Sequence, residues 1–203
     1  MDKNTLNYYA QHAAEVAARY EAFTSPLADI FANVFPTSGK ILDVGCGSGR
    51  DLAFLSSRGF DVYGIEPASS LALIAQKIHT ELTGRIKIAQ LPEIDGLFSD
   101  LFDGILCYGV LMHLDEPSLK KSALSLKKMS KKGGKLVISV PVTRPNTIHQ
   151  ERDHLGRLFK NYSPDFLANT FDAVGYRMLE QWKNADSLKR VGVEWVSQVY
   201  QLD

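Results

Sequence analysis

A chain of 203 residues, 45% hydrophobic, suits one domain with a full core that buries about 70% of its unfolded surface. Lysine plus arginine equals aspartate plus glutamate at 23 each, so no basic excess drives binding to a phosphate backbone. The two cysteines, Cys46 and Cys107, make no disulfide framework or metal-ligand cluster, no apolar run approaches the roughly 20 residues of a membrane span, and the opening Met-Asp-Lys-Asn-Thr carries no apolar signal, so a soluble, reducing, cytoplasmic setting is expected.

Tyr8, Tyr9, Ala13, Val16, Ala17, Tyr20 and Phe23 recur at near-helical spacing, which predicts a helix over residues 6 to 23. Residues 40 to 50 then read Lys-Ile-Leu-Asp-Val-Gly-Cys-Gly-Ser-Gly-Arg. Ile41, Leu42 and Val44 suit a buried parallel strand, and Asp51 to Arg58 suits an amphipathic helix. Gly45, Gly47 and Gly49 lie between them, so the backbone can turn tightly and approach a ligand with no Cβ in the way. The helix that follows points its first N–H groups at that ligand. The spacing is G-x-G-x-G, with Arg50 at the sixth position where the dinucleotide fingerprint carries its third glycine.

Val62 and Ile65 predict a second strand ending at Glu66. A carboxylate about twenty residues after a glycine loop can accept both hydroxyls of a ribose; the plainer reading is a solvated acid at a strand end. A helix is predicted from Ser69 to His79, a third strand from Ile86 to Ala89, and a fourth strand with the segment leaving it from Phe102 to Leu114. Asp115 to Lys132 predicts a helix with Pro117 in its first turn and Leu119, Ala123, Leu126 and Met129 on one stripe; its lysines read as a solvated outer face. Gly133-Gly134 ends it, and Lys135 to Pro141 is a fifth strand. Thr143 to Ser163 has no strong periodicity, and loops of that length inside a domain are functional or disordered. Ser163-Pro164 caps a last helix, Asp165 to Ala173, and Tyr176 to Lys183 and Val193 to Leu202 are two closing strands.

A strand ending Leu-Asp-Val-Gly-Cys-Gly-Ser-Gly resembles motif I of the class I S-adenosylmethionine-dependent methyltransferases. The resemblance covers nearly the whole chain and is most specific in residues 40 to 140. It implies an α/β fold: a doubly wound, seven-stranded, mostly parallel sheet with an antiparallel C-terminal hairpin. It implies one domain over 1–203, with cover helices in 1–36, a cofactor-binding core in 37–141, and a lid and hairpin in 142–203. S-adenosylmethionine would be the cofactor and S-adenosylhomocysteine the product, with no metal.

The same resemblance assigns roles. Asp43, Gly45, Cys46, Gly47, Gly49 and Arg50 would wrap the amino-acid end of the cofactor, and Glu66 with Pro67 would take the ribose. Gln90 and Leu91 would meet the adenine, where the family often carries an acid and this chain has Ala89-Gln90. Tyr108 to Met112 would line the methionine half. Tyr9 or Tyr20 would place a hydroxyl on the cofactor carboxylate or a ring near the sulfonium, or simply pack. His113, His149 and His154 are the candidate bases, and His113 reads otherwise as a packed histidine holding its loop. Arg152 and Arg157 lie in Arg-Asp-x-x-Gly-Arg-x-Phe, which is similar to small methyltransferases of unassigned substrate; they would clamp a carboxylate or phosphate of the acceptor, or form a surface ion-pair loop.

The expected acceptor is a small molecule with an O, N or S nucleophile. With zero net charge and no Asn/Asp-Pro-Pro-Tyr/Phe motif, nucleic acid is not expected. A membrane partner is not expected either, and the chain is read as a monomer or homodimer. Two other readings stay open: a nicotinamide oxidoreductase on a related fold, and a non-catalytic member that binds the cofactor to fold or to regulate a partner.

Overall fold

The computed structural model of the protein describes residues 1–25, 28–145, 147–148, 151–186 and 188–203. Its main sheet comprises β1 (Lys40–Val44), β2 (Asp61–Ile65), β3 (Ile86–Lys87), β4 (Phe102–Tyr108), β5 (Ser130–Thr143), β8 (Tyr176–Ala185) and β9 (Glu194–Leu202). A small separate hairpin joins β6 (Thr147–Ile148) to β7 (Arg152–Asp153). The helices are α1 (Lys3–Gln11), α2 (Ala13–Glu21), α3 (Ala28–Val34), α4 (Arg50–Ser57), α5 (Ser69–Ile78), α6 (Glu116–Met129) and α7 (Pro164–Asp172).

The seven strands run in the order β3-β2-β1-β4-β5-β9-β8. Pairing is parallel from β3 through β5, and antiparallel where β9 meets β5 and β8, with Pro141 opposite Trp195. Successive strand residues take opposite faces. Leu42, Val44, Ile105, Cys107, Leu136 and Ile138 pack with α6 and α7, while Ile41, Leu106 and Val137 pack with α3, α4 and α5. Both faces are covered, which is why the central strands are nearly continuous apolar runs. β1 lies between β2 and β4, so the strand order reverses there and opens a crevice at the carboxyl ends. The expected fold class is therefore the one observed.

Four local expectations change. The N-terminal helix is two helices, broken at His12 (φ −108°), whose backbone N–H and ring Nδ1 both lie 3.0 Å from the Tyr8 carbonyl. α6 stops at Met129 rather than Lys132, because Ser130 pairs with Phe102, and the register shifts before Gly104 meets Lys135. The glycine pair therefore lies inside a strand irregularity. β3 is only two residues long. Residues 143–163 are not an open loop: β6 and β7 pair, Arg152 bridges to Leu158, and Lys160 N–H donates to the Met112 carbonyl (2.8 Å). His149 lies outside the described residues.

Candidate functional site

The glycine loop is built by β1 and β2 together. Gly45 and Cys46 N–H groups both donate to the Ile65 carbonyl, at 2.7 and 3.0 Å, and so tie the loop to the neighbouring strand. Gly47 takes a left-handed conformation (φ +57°), and its N–H donates to Glu66 Oε2 at 3.0 Å. Ala68 N–H donates to Glu66 Oε1 at 2.9 Å. Glu66 is 5% exposed, so it is not a solvated strand-end acid. Burial pushes its carboxyl up to about 7, against the pull of these two N–H groups. Each oxygen keeps a lone pair for a further donor. Asp43, 4% exposed near the end of β1, has no side-chain hydrogen bond among the described residues. Burial raises its carboxyl well above the usual range, and the charges of Asp51 and Glu66 raise it further.

A cavity of about 660 Å³ opens over this loop, within the range of small-molecule sites. Of the residues predicted for the site, Tyr9, Asp43, Gly45, Cys46, Gly47, Arg50, Glu66, Pro67, Tyr108, Met112, His113, His154 and Arg157 line it, and Tyr20 does too. Four predicted residues do not. Gly49 is the left-handed N-cap of α4 and faces Leu82 and Ala75 instead. Leu91 is buried in the core and Gln90 lies beside it off the cavity wall. Arg152 turns away: its Nη1 and Nη2 donate to Asp2 at 3.0 and 2.8 Å, and Nη1 also reaches the Gly156 carbonyl. Arg50 reaches the cavity edge with its guanidinium engaged by Asp51 and by the Tyr20 and Phe23 carbonyls.

His113 ends the short 3-10 turn that follows β4 and is 2% exposed. Its Nδ1 lies 2.6 Å from the Leu158 carbonyl, which can only accept, so Nδ1 carries the proton. In the neutral ring Nε2 is then an acceptor, and the Tyr9 hydroxyl at 3.2 Å donates to it. Burial pulls the imidazole down to about 4, and Arg157 and Arg144 add to that shift, so the ring is neutral. Arg157 Nη1 in turn donates to the Tyr9 oxygen at 3.4 Å. The histidine is thus both packed and at the cavity wall.

The far end of the cavity carries Arg144, Arg157 and Arg190, with the rings of Tyr108, Phe159 and Trp195. Asp153 accepts from Arg157 Nη2 (2.6 Å) and Nε (2.9 Å) and from Arg144 Nη2 (3.3 Å). Asp186 accepts from Arg190 Nη2 (2.5 Å) and from Trp195 Nε1 (2.9 Å). In both loops the aspartate also accepts the N–H of the arginine four residues on. Sequence reasoning left Arg190 and Trp195 out of the site. The legible signal was this repeated Asp-x-x-x-Arg spacing in two loops, at 153/157 and 186/190.

The family model for a methyltransferase domain matches residues 10–181. An uncharacterized methyltransferase of Alkaliphilus oremlandii is 27% identical over 141 residues, which is 67% of this chain and 58% of that one. The ubiquinone biosynthesis O-methyltransferase of Alkalilimnicola ehrlichii is 27% identical over 110 residues, 53% of this chain and 44% of its own length. The chain thus spans about half the length of the curated relatives it matches. In fold it is similar to the Burkholderia thailandensis 1,6-didemethyltoxoflavin-N1-methyltransferase, solved with 1,6-didemethyltoxoflavin and S-adenosylhomocysteine: TM-score 0.78 at 18% identity, over 98% of this chain and 88% of that one.

Proposed function

Because this chain belongs to the methyltransferase-domain family, we propose that it transfers a methyl group from S-adenosylmethionine to an O, N or S nucleophile of a small molecule. The observation that carries this reading is Glu66, a buried carboxylate that holds the Gly47 N–H and still faces the cavity with open lone pairs.

The residues fit the cofactor. Glu66 accepts the ribose hydroxyls, with Pro67 beside it. Asp43, a buried carboxylate without a hydrogen-bond donor among the described residues, receives the α-amino group. Asp43 and Glu66 are two buried acceptors at this end of the cavity, and each gains its charge most readily when a ligand brings an amine or hydroxyl donors to it. Tyr108 and Met112 flank the methionine half. When bound, the cofactor supplies a methyl carbon already activated by a positively charged sulfur. The protein's main task is then to hold acceptor and methyl in line, and such positioning is worth roughly 7–11 kcal/mol.

Where the acceptor arrives protonated, Tyr9 is the group that meets it. His113 Nε2 is covered by the Tyr9 hydroxyl, so a proton leaves the acceptor onto the Tyr9 oxygen as the Tyr9 proton passes to His113. Arg157 steadies charge on the Tyr9 oxygen during that step. His154 also lines the cavity but is exposed.

We place the cover in 1–36, the cofactor core in 37–141, and the acceptor wall in 142–203. We read the protein as a cytoplasmic monomer or homodimer; its two cysteines are free and buried, as suits a reducing compartment. Calorimetry tests the reading: S-adenosylmethionine and S-adenosylhomocysteine bind one-to-one and NAD does not. NAD binding tighter than either overturns it. Cofactor binding without turnover on any acceptor marks a non-catalytic member.

A further inference from the structure

Two turns at the far end of the cavity share one construction. Residues 153–157 and 186–190 both read Asp-x-Leu-x-Arg. In each, the fourth residue is left-handed, Gly156 at φ +78° and Lys189 at φ +53°, and its N–H donates to the carbonyl of the aspartate at 2.9 Å. In each, the aspartate side chain accepts the backbone N–H of the arginine, at 3.0 and 2.8 Å, and the arginine Nε at 2.9 Å. Lysine takes that left-handed conformation less readily than glycine, so fastening rather than backbone preference sets the second turn. Both aspartates are buried, with side chains 0% and 2% exposed. Charge-assisted pairs so shielded hold each turn in one shape. The turns also stand against one short segment. Arg144 donates to Asp153, and a Cβ on Gly192, just past the second turn, would lie 2.9 Å from Pro145.

The central residue of each turn is a leucine, and Leu155 and Leu188 both line the cavity. Leu155 is 43% exposed, so it stands at the mouth, and neither leucine joins an apolar core cluster. A single exposed leucine needs no explanation. Two at the same place in twin turns, on the wall of one cavity, form a matched pair. Met112, Phe159 and Trp195 continue the apolar lining inward.

We infer that the methyl acceptor is amphipathic: its nucleophilic head lies toward Tyr9, and an aliphatic tail leaves the cavity along Leu155 and Leu188, which set acceptor specificity. This rests on the methyl-transfer reading of the same cavity.

The test is calorimetry on protein saturated with S-adenosylhomocysteine. The probes are para-alkylphenols and para-alkylanilines, methyl through hexyl, and the same heads carrying ether chains of matched length. Affinity rises about 2- to 4-fold for each methylene that the leucines cover, as burial of apolar surface requires, and the ether chains show no such rise. Leu155→Ser and Leu188→Ser each remove part of the rise. The double variant weakens the hexyl probes about 10-fold and leaves the methyl probes and S-adenosylhomocysteine within about twofold. The alkyl–ether comparison on the unaltered protein needs no variant, so a misfolded mutant does not decide the matter. Equal affinity for alkyl and ether chains, a rise that survives in the double variant, or no binding of any probe overturns the inference. A double variant that changes the sedimenting mass but not the alkyl affinity also overturns it, and assigns the leucines to contact with a second copy. Failure of S-adenosylhomocysteine to bind overturns the cofactor reading instead, and the chain-length series is then read on the free protein.

Discussion

The two ends of the cavity are assembled in different ways. The acidic end comes from one contiguous stretch, residues 43–68, in which β1, a glycine turn, α4 and β2 follow in order and backbone N–H groups do much of the work. The arginine end gathers side chains from the loop after β5, the segment after β7 and the connection before β9. The first is a local backbone form that a few glycines impose. The second exists only once β9 has inserted beside β5 and brought Trp195 opposite Pro141. The contrast implies that perturbing the local end destroys cofactor binding, while perturbing the assembled end changes only what is methylated.

The sharpest way to break that contrast is Gly47→Val. A side chain there suffers twice: the backbone is left-handed, and a Cβ would lie 3.3 Å from the Tyr20 ring. Cofactor affinity should fall by more than about 1,000-fold, below calorimetric detection, while the far-ultraviolet circular dichroism stays that of an α/β fold. Retained affinity would show that the loop is not what holds the cofactor. Tyr9→Phe comes next and lies at the junction of the two ends. With a hydroxyl-bearing acceptor it should lower kcat about 100-fold and leave both dissociation constants within a few-fold, since the ring remains and only the proton path is cut. An unchanged kcat would return His113 to a purely packing role.

Glu66→Ala should weaken cofactor binding about 10- to 100-fold, as charged hydrogen bonds are worth roughly 1.5–3 kcal/mol. It also strips the Gly47 and Ala68 N–H groups of their acceptor, so some folding stability goes with it. The pH dependence has a definite sign. Burial raises the Glu66 carboxyl from the ordinary 4.5 to about 7, so between those values the folded state keeps a proton that the unfolded state has lost. Stability of the ligand-free protein should therefore be greatest below pH 4.5 as far as this group is concerned, and should decline as pH climbs to 7. Asp43, also raised, adds in the same direction. Cofactor affinity should run the other way, rising several-fold from pH 6 to pH 8 as Glu66 ionises. Glu66→Gln should flatten both profiles; a profile that survives in the Gln variant belongs to another group.

The same contrast explains what was legible in the sequence. Val44-Gly-Cys-Gly-Ser-Gly announces its turn because glycine takes those left-handed angles without strain, and Glu66 follows at a distance fixed by one helix and one strand. The apolar stripe of α6 needs nothing but a period, and Leu119, Ala123, Leu126 and Met129 are all buried. The helix ends were less legible. His12 breaks the N-terminal helix by bonding backward to Tyr8, and α6 gives up residues 130–132 because Ser130 has a strand partner in Phe102. Arg190 and Trp195 were not legible as site residues, since their place depends on β9 reaching the sheet. Arg152 and Arg157 are five apart in one motif, yet only Arg157 turns into the cavity; a β-hairpin decides which one does.

Arg152→Ala probes where the acceptor wall ends and is the smallest effect expected. Read from its motif alone, Arg152 should hold the acceptor; in the fold it holds α1. Its guanidinium grips Asp2, which also caps that helix by accepting from Thr5 N–H at 2.9 Å. The side chains of the pair are 30% and 16% exposed and the contact is bidentate, so after screening by solvent the interaction is worth about 1 kcal/mol. Arg152→Ala should thus cost a few tenths to about 1 kcal/mol in chemical denaturation and leave the acceptor's Michaelis constant within about twofold. Asp2→Ala should cost more, because the cap goes as well, typically about 1 kcal/mol. In the double variant the two losses should add to less than their sum, the mark of a direct pair. If Arg152→Ala instead raises the Michaelis constant tenfold with stability unchanged, the wall extends past β7 and the division between a helix clamp and an acceptor site is drawn in the wrong place.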